Sequence, residues 1–90
     1  MGDRRFERRF SREESAEVRW KDATGAEARA IARLKDVSQS GASLILDRPI
    51  RMGSVVAVVF GGREHKGDVR YSTSRNGEYL IGIEFDQMLA

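Results

Sequence analysis

Apolar and polar residues alternate with a period of two along most of this chain, which limits the fold more than any other feature. The alternation is clear in the segments 16–21, 27–37, 42–46 and 79–85. Successive side chains of a strand point to opposite faces, so each segment is predicted as a strand with one apolar face. Segment 55–60 is apolar on both faces, as expected of a buried central strand. Segment 66–72 is predicted as a strand with Val69 and Tyr71 on the same face.

Turn signals separate these segments. Asp22-Ala23-Thr24-Gly25 predicts a turn, Gly61-Gly62 predicts another, and Asn76-Gly77 predicts a tight hairpin because both of its residues tolerate positive φ. No stretch indicates a long helix. Six short antiparallel strands can bury their apolar faces by curling into a barrel. We therefore predict an all-β, six-stranded antiparallel barrel over residues 13–90, with little or no C-terminal helix.

The first twelve residues differ from the rest because arginines crowd into them. They contain Arg4, Arg5, Arg8, Arg9 and Arg12. Against Asp3 and Glu7 this gives a net charge of +3, and since the whole chain carries +2, the other 78 residues sum to −1. Like charges with few apolar residues to bury predict a flexible arm over residues 1–12. The positive charge lies in the arm rather than the body, which favours a compact anionic partner over a long polyanion.

Composition gives no sign of catalysis or membrane insertion. The chain has no cysteine, and its one histidine, His65, is expected to be a surface residue rather than a metal ligand or general base. No nucleophile–base pair, metal cluster or phosphate-binding loop is recognisable, so we expect no enzyme, no metal site and no cofactor. No apolar run approaches the roughly 18 residues of a membrane span, and the basic start lacks the apolar region of a signal peptide. We expect a cytoplasmic protein.

A second distinctive motif is Asp36-Val37-Ser38-Gln39-Ser40-Gly41. An Asp and a Ser two apart at a strand end face the same way and offer an acceptor and a hydroxyl. Gly41 is expected to form a corner with positive φ. Arginine donates two parallel hydrogen bonds to a phosphate or to a guanine edge. The arm and this motif together predict a site for a small, anionic ligand that carries guanine.

These features resemble the PilZ domain family, small β-barrels that are receptors for the bacterial second messenger cyclic di-GMP. The family pattern joins Arg-x-x-x-Arg in an N-terminal arm to (Asp/Asn)-x-Ser-x-x-Gly on the barrel. Arg8-Arg9-Phe10-Ser11-Arg12 is similar to the first part, and the motif from Asp36 to Gly41 matches the second. Gly82-Ile83-Glu84-Phe85 is similar to the family's closing strand. Glu13-Glu14-Ser15 departs from the pattern, since a small apolar run is common there.

The resemblance implies a PilZ-like split barrel that binds cyclic di-GMP and signals to a protein partner of unknown identity. The ligand-binding residues that it implies are Arg8, Arg9, Arg12, Asp36, Ser38 and Gly41. The arginines are expected on the phosphates and on a guanine edge, with Asp36 and Ser38 completing the contacts from the barrel. The pairs Arg4/Arg8 and Arg5/Arg9 are alternatives to Arg8/Arg12 as the arginine motif.

Two other functions stay open. One is a PilZ-like module that binds no ligand and acts through protein contacts, which the intact motifs disfavour. The other is a barrel that binds single-stranded nucleic acid. That function calls for a row of exposed aromatic residues, whereas the chain has seven aromatic residues and alternation turns most of them inward. The number of bound ligand molecules and the controlled pathway are also open.

Overall fold

The computed structural model describes residues 14–88, which form a closed barrel of six antiparallel strands. The strands are β1 (Glu14–Lys21), β2 (Glu27–Val37), β3 (Gly41–Leu46), β4 (Val55–Phe60), β5 (Arg63–Arg75) and β6 (Glu78–Phe85). Their order around the barrel is β1-β2-β3-β6-β5-β4, and β1 closes the barrel by pairing with β4. The predicted architecture is confirmed. The arm predicted over residues 1–12 lies outside the described residues.

Inward-facing aliphatic side chains from every strand fill the barrel. Val18, Leu44, Val58 and Ile81 are completely buried. Trp20, which lies on the apolar face predicted for segment 16–21, is also buried. The alternation read from the sequence therefore sets which side chains form the core. Between residues 14 and 88 the chain has no helix long and apolar enough to cross a membrane.

The prediction that segment 55–60 is buried on both faces is wrong. Val56 and Val58 point into the barrel, whereas Val55 is 65% exposed. Ala57, which also faces outward, is half-buried. A closed barrel has one interior, so the outward face of a strand is covered only where another layer packs on it. Apolar residues on the outer face of β4 therefore remain partly in contact with water.

Two β-bulges interrupt the alternation, one on each side of the β3–β6 pair. The register of β2 with β3 shifts between Leu34 and Asp36, and the register of β5 with β6 shifts between Val69 and Tyr71. A bulge opposes two residues of one strand to one of its partner, so the next side chains change face. The prediction that Val69 and Tyr71 share a face is therefore wrong. Val69 is buried, whereas Tyr71 is 41% exposed.

The predicted turns are confirmed. Asn76-Gly77 joins β5 to β6 with φ values of 50° and 81°, and Gly61-Gly62 joins β4 to β5 with 60° and 76°. Two consecutive positive φ angles match the twist of the strands that they connect. In the β1–β2 turn, the Asp22 carboxylate accepts hydrogen bonds from the Thr24 hydroxyl (2.7 Å) and backbone N–H (2.9 Å). These bonds lower the pKa of Asp22.

Two isoleucines of opposite exposure test this core. Ile81 is completely buried, while Ile31 is 70% exposed on the outside of β2. Ile81→Ala should lower the free energy of unfolding by about 2–5 kcal/mol, because it leaves a cavity in the interior. The control Ile31→Ala should cost less than about 1 kcal/mol. Urea denaturation measures both, and equal losses would contradict the barrel's assignment of inside and outside.

Candidate functional site

Asp36, Ser38 and Gly41 line one shallow groove of about 160 Å³ on the outside of the barrel. The groove runs across β2, β3, β6 and β5. Its other lining residues are Ala42, Ser43, Arg70, Tyr71, Gly82 and Ile83. The structure thus brings together the three barrel residues predicted to bind a ligand.

The bulge in β2 turns Asp36 to the outer surface. Leu34 is buried, so unbroken alternation would carry Asp36 into the core. The register shift places Asp36 opposite Ser43, which faces outward on β3, and places the buried Val37 opposite the buried Ala42. A carboxylate is therefore presented to the groove rather than desolvated inside the barrel, where its charge would be costly.

Hydrogen bonds within the turn between β2 and β3, and from the end of β6 to this turn, hold it in place. The Ser38 backbone N–H donates to the Gly41 carbonyl (2.9 Å), and the Phe85 N–H donates to the Ser40 carbonyl (2.8 Å). The hydroxyls of Ser38 and Ser40 lie 3.4 Å apart, and Ser38 is largely buried. The turn is thus tied to the end of β6 as well as to its own strands, which fixes the Ser38 hydroxyl relative to the groove.

The positive φ predicted for Gly41 is wrong. Gly41 is the first residue of β3, lies opposite Glu84 of β6, and is absent from the residues with positive φ among those described. A Cβ at this position would overlap the carbonyl oxygen of Ile83. Glycine is required here because the β3 and β6 backbones approach closely. The same missing side chain leaves the groove open next to Ser38.

Tyr71 and Gly82 are groove residues that the sequence analysis missed. The bulge in β5 places Tyr71 opposite Gly82, and a Cβ on Gly82 would overlap the tyrosine ring. The Tyr71 hydroxyl lies 3.2 Å from Ser43 Oγ, so the ring reaches from β5 across β6 to β3. A lone glycine inside an apolar strand is the sequence signal that could have indicated such a close approach.

Arg70 is a third missed residue and brings a cation to the groove. Its guanidinium lies 3.2 Å from the Glu84 carboxylate, and both side chains are more than half exposed. Exposed ion pairs of this kind contribute little to stability. The Glu84 carboxylate therefore balances the Arg70 charge without holding it tightly.

His65 lies away from this groove and has a packing role. It is half-buried rather than the predicted surface residue, because its ring packs against Phe60 (centroids 4.6 Å apart) and Phe85 (5.4 Å). Burial, and then the charge of Arg63, lower the pKa of His65. Over residues 14–88, no three acidic, histidine or cysteine side chains are grouped to hold a metal ion.

The arginines predicted to bind the ligand, Arg8, Arg9 and Arg12, lie outside the described residues. The choice among the arginine pairs Arg4/Arg8, Arg5/Arg9 and Arg8/Arg12 falls there as well. Their roles stay predictions.

Comparison with known proteins gives one family and several solved structures. The family model of the PilZ domain matches residues 3–90. No curated protein matches the chain. The structure of the K. pneumonia MrkH complex with c-di-GMP has a TM-score of 0.66 and 16% identity, over 94% of this chain and 45% of that one. This chain thus spans less than half of MrkH.

Two further structures cover isolated PilZ domains. The PilZ domain of YcgR from Escherichia coli with c-di-GMP has a TM-score of 0.66 and 18% identity, over 93% of this chain and 79% of that one. The PilZ domain of CeSA from a cellulose-synthesizing bacterium has a TM-score of 0.54 and 21% identity, over 89% and 83%. At these identities the likeness is one of fold.

The close approach at Gly41 gives a test of the site's framework. Gly41→Ala should lower the free energy of unfolding by about 1–3 kcal/mol, because the new Cβ forces the Ile83 backbone away. Gln39→Ala, in the exposed part of the same turn, should stay within about 0.5 kcal/mol of the parent. Thermal or urea unfolding measures both. A Gly41→Ala variant as stable as the parent would show that the two strands are less tightly packed here.

Proposed function

This chain belongs to the PilZ domain family, and from that premise we propose that it is a receptor for cyclic di-GMP. One observation carries the proposal: Asp36, Ser38 and Gly41, the barrel half of the ligand motif, line a single exposed groove. The MrkH and YcgR structures that share the fold are complexes with this ligand, which supports the same role here.

The attachment point of the arm supports a site built from both halves of the motif. Glu14 begins β1 and lies opposite Leu34, two residues before Asp36 on β2. Since an extended chain spans at most about 3.6 Å per residue, Arg12 lies within about 7 Å of the Glu14 Cα and Arg8 within about 22 Å. An arm attached at this point has enough length for Arg8 to fold over the groove, which supports the proposed two-part site.

The chemistry of the two halves is complementary to the ligand. Cyclic di-GMP offers two phosphates and two guanines. We assign Arg8 and Arg12 to a phosphate and to the O6 and N7 acceptors of a guanine, with Arg9 on the second phosphate or on a purine face. The Asp36 carboxylate accepts from a guanine N–H, and the Ser38 hydroxyl contacts a phosphate or a guanine. Gly41, which has no side chain, lets the protein backbone approach the ligand.

The proposed mechanism is closure of the arm. The arm carries a net charge of +3, and the ligand's two phosphates reduce the repulsion that opposes bringing its arginines together. Bound ligand then bridges the arm and the barrel, and the closed arm forms a composite surface that a downstream protein partner reads. The protein acts in the cytoplasm as a sensor without catalysis, and the nucleotide is its signal rather than a cofactor.

Calorimetric titration with cyclic di-GMP tests the receptor function and gives the number of bound molecules. Cyclic di-GMP should bind more tightly than GTP or cyclic GMP, because these offer one guanine each and no second nucleotide unit. A short single-stranded oligonucleotide is the control, because a small barrel with a basic arm could instead bind nucleic acid.

Three results would overturn the receptor function. Absence of cyclic di-GMP binding would favour a module that acts by protein contact alone. Tighter binding of the oligonucleotide would favour the nucleic-acid function. An affinity for the oligonucleotide that falls steeply with rising salt concentration would also favour the nucleic-acid function, since each phosphate contact to a polyanion releases counterions.

Arginine variants test the two-part site. Arg8→Ala and Arg12→Ala should each weaken binding by about 10- to 150-fold, the loss of a charge-assisted hydrogen bond of about 1.5–3 kcal/mol. Arg4→Ala is the matched control, because it removes an arm charge outside the Arg8/Arg12 pair and should change affinity little. Equal sensitivity of Arg4 and Arg8, with Arg12 silent, would move the motif to the Arg4/Arg8 pair.

Hydrogen exchange of the parent protein and of Arg12→Ala tests closure of the arm. Ligand should slow backbone hydrogen exchange over residues 3–12 in the parent and not in Arg12→Ala.

Asp36→Ala should weaken binding with an unchanged melting temperature. A lowered melting temperature without ligand would give Asp36 a structural role instead. Removal of residues 1–12 should leave a folded barrel that does not bind, and retained affinity would place the site elsewhere.

A further inference from the structure

A second groove lies toward the other end of the barrel from the Asp36–Gly41 motif. Its volume is about 730 Å³, and it is bounded by the β1–β2 turn, the segment 47–54 between β3 and β4, and Ser72 of β5. Trp20, which lines it, lies opposite Ala28, eight residues before Asp36 on β2. At about 3.3 Å per residue, the two places are about 26 Å apart along the strand. The receptor function makes no use of this second groove.

Hydrogen bonds hold both walls of the second groove. The Gly53 N–H donates to the Val69 carbonyl (2.8 Å), and the Val69 N–H donates to the Ser54 carbonyl (2.9 Å). These bonds tie the connection between β3 and β4 to β5. The opposite wall is the β1–β2 turn, which is held by the bonds to the Asp22 carboxylate. The groove is therefore formed before a ligand arrives, which lowers the cost of binding.

Trp20 offers this groove a hydrogen-bond donor that the barrel does not use. The residue is only 8% exposed, and its indole N–H has no hydrogen-bond partner in the described part of the chain. Within residues 14–88, the one enclosed polar side-chain atom without a partner is Arg19 Nε. The indole N–H is thus open to the groove rather than sealed in the core. Because a buried tryptophan usually has a partner for this group, the position suits an acceptor on a ligand.

The free charges of the second groove are positive. Lys21 and Arg51 line it, and neither forms an ion pair with another described residue. Asp22 lines it as well, but its carboxylate already accepts the two bonds from Thr24. A ligand therefore meets an N–H donor and two cations, a set that is complementary to a carboxylate.

Apolar surface lines the second groove and continues past its rim. Ile50 is 1% exposed inside it, whereas Met52, on its rim, is 66% exposed. Val55, at the start of β4, is 65% exposed just beyond. A ligand confined to the groove would leave this surface in water, while a protein segment that crosses the rim would cover it. The flexible Met52 side chain can adapt to such a segment.

We propose that the second groove docks an extended, acidic segment of a partner protein. A carboxylate of the segment accepts from the Trp20 N–H and pairs with Lys21 and Arg51, and a neighbouring apolar side chain packs on Met52. The two grooves share no lining residue. Docking therefore goes beyond the receptor function and does not depend on it.

Selection from a phage-displayed library of random peptides, followed by titration of a synthetic consensus peptide, tests the docking site. Selected peptides should carry Asp or Glu beside Leu, Ile, Met or Phe. Trp20 is the only tryptophan, so its indole N–H gives a single signal in a ¹H–¹⁵N NMR spectrum. That signal should move as the consensus peptide binds, and a peptide with Asn and Gln in place of its acids should not move it.

Paired variants separate docking from general effects of charge or apolarity. Arg51→Glu should weaken peptide binding by about tenfold or more. Arg48→Glu makes the same change in the same loop but outside the groove, and should stay within about twofold of the parent. Met52→Ser should weaken binding by about 5- to 30-fold. Its control is Met88→Ser, because Met88 is 64% exposed and lies outside this groove.

Four results would overturn the docking site. They are a selection without acidic, apolar peptides, an indole signal that does not move, full affinity in Arg51→Glu and Met52→Ser, and equal losses in the controls. An indole signal that moves with protein concentration alone would make a second copy of the chain the occupant. Peptide binding by a parent that does not bind cyclic di-GMP would support the docking site and overturn the receptor function.

Discussion

Closure of the barrel is the constraint on which the rest of the structure depends. The pairing of β1 with β4 gives every strand two hydrogen-bonded neighbours, so no sheet edge remains among the six strands. Each strand residue then points either into a small apolar interior or out to solvent. Where regular alternation would point a side chain into the barrel, that side chain can face the outer surface only if a bulge shifts the alternation. The two bulges beside the β3–β6 pair are therefore what place Asp36 and Tyr71 on the outer surface.

The groove also depends on small residues between those bulges. Gly41 and Gly82 sit where a Cβ would overlap the Ile83 carbonyl and the Tyr71 ring. Ser43 adds only a hydroxyl, which contacts Tyr71. The floor of the groove is consequently backbone and small side chains, while the chemically distinctive groups stand at its ends. Such an arrangement suits a flat, polar ligand that lies against the sheet.

The sequence predicted the strands well and the bulges not at all. The two-residue period located β1, β2 and β6, and Asn76-Gly77 and Gly61-Gly62 located two hairpins, because these signals are local. A bulge is one additional residue, and no particular residue type marks it in the sequence. The two-residue period alone therefore predicts Val69 and Tyr71 on one face. The requirement for glycine at position 41 comes from β6, which is distant in sequence. The Asp36–Gly41 motif is recognisable in the sequence because its polar residues and its glycine lie within six consecutive positions.

The distribution of charge supports the proposed division of the site between two segments. On the described barrel, arginines pair with glutamates of other strands: Arg19 with Glu64, Arg29 with Glu17, Arg33 with Glu78 and Arg70 with Glu84. Each exposed pair adds little stability, but together they cancel the field that would attract a long polyanion. The excess positive charge of the chain is carried by residues 1–12. In the proposed site the barrel offers mainly a shaped groove and the arm offers mainly charge, which is why we propose a ligand that is both compact and anionic.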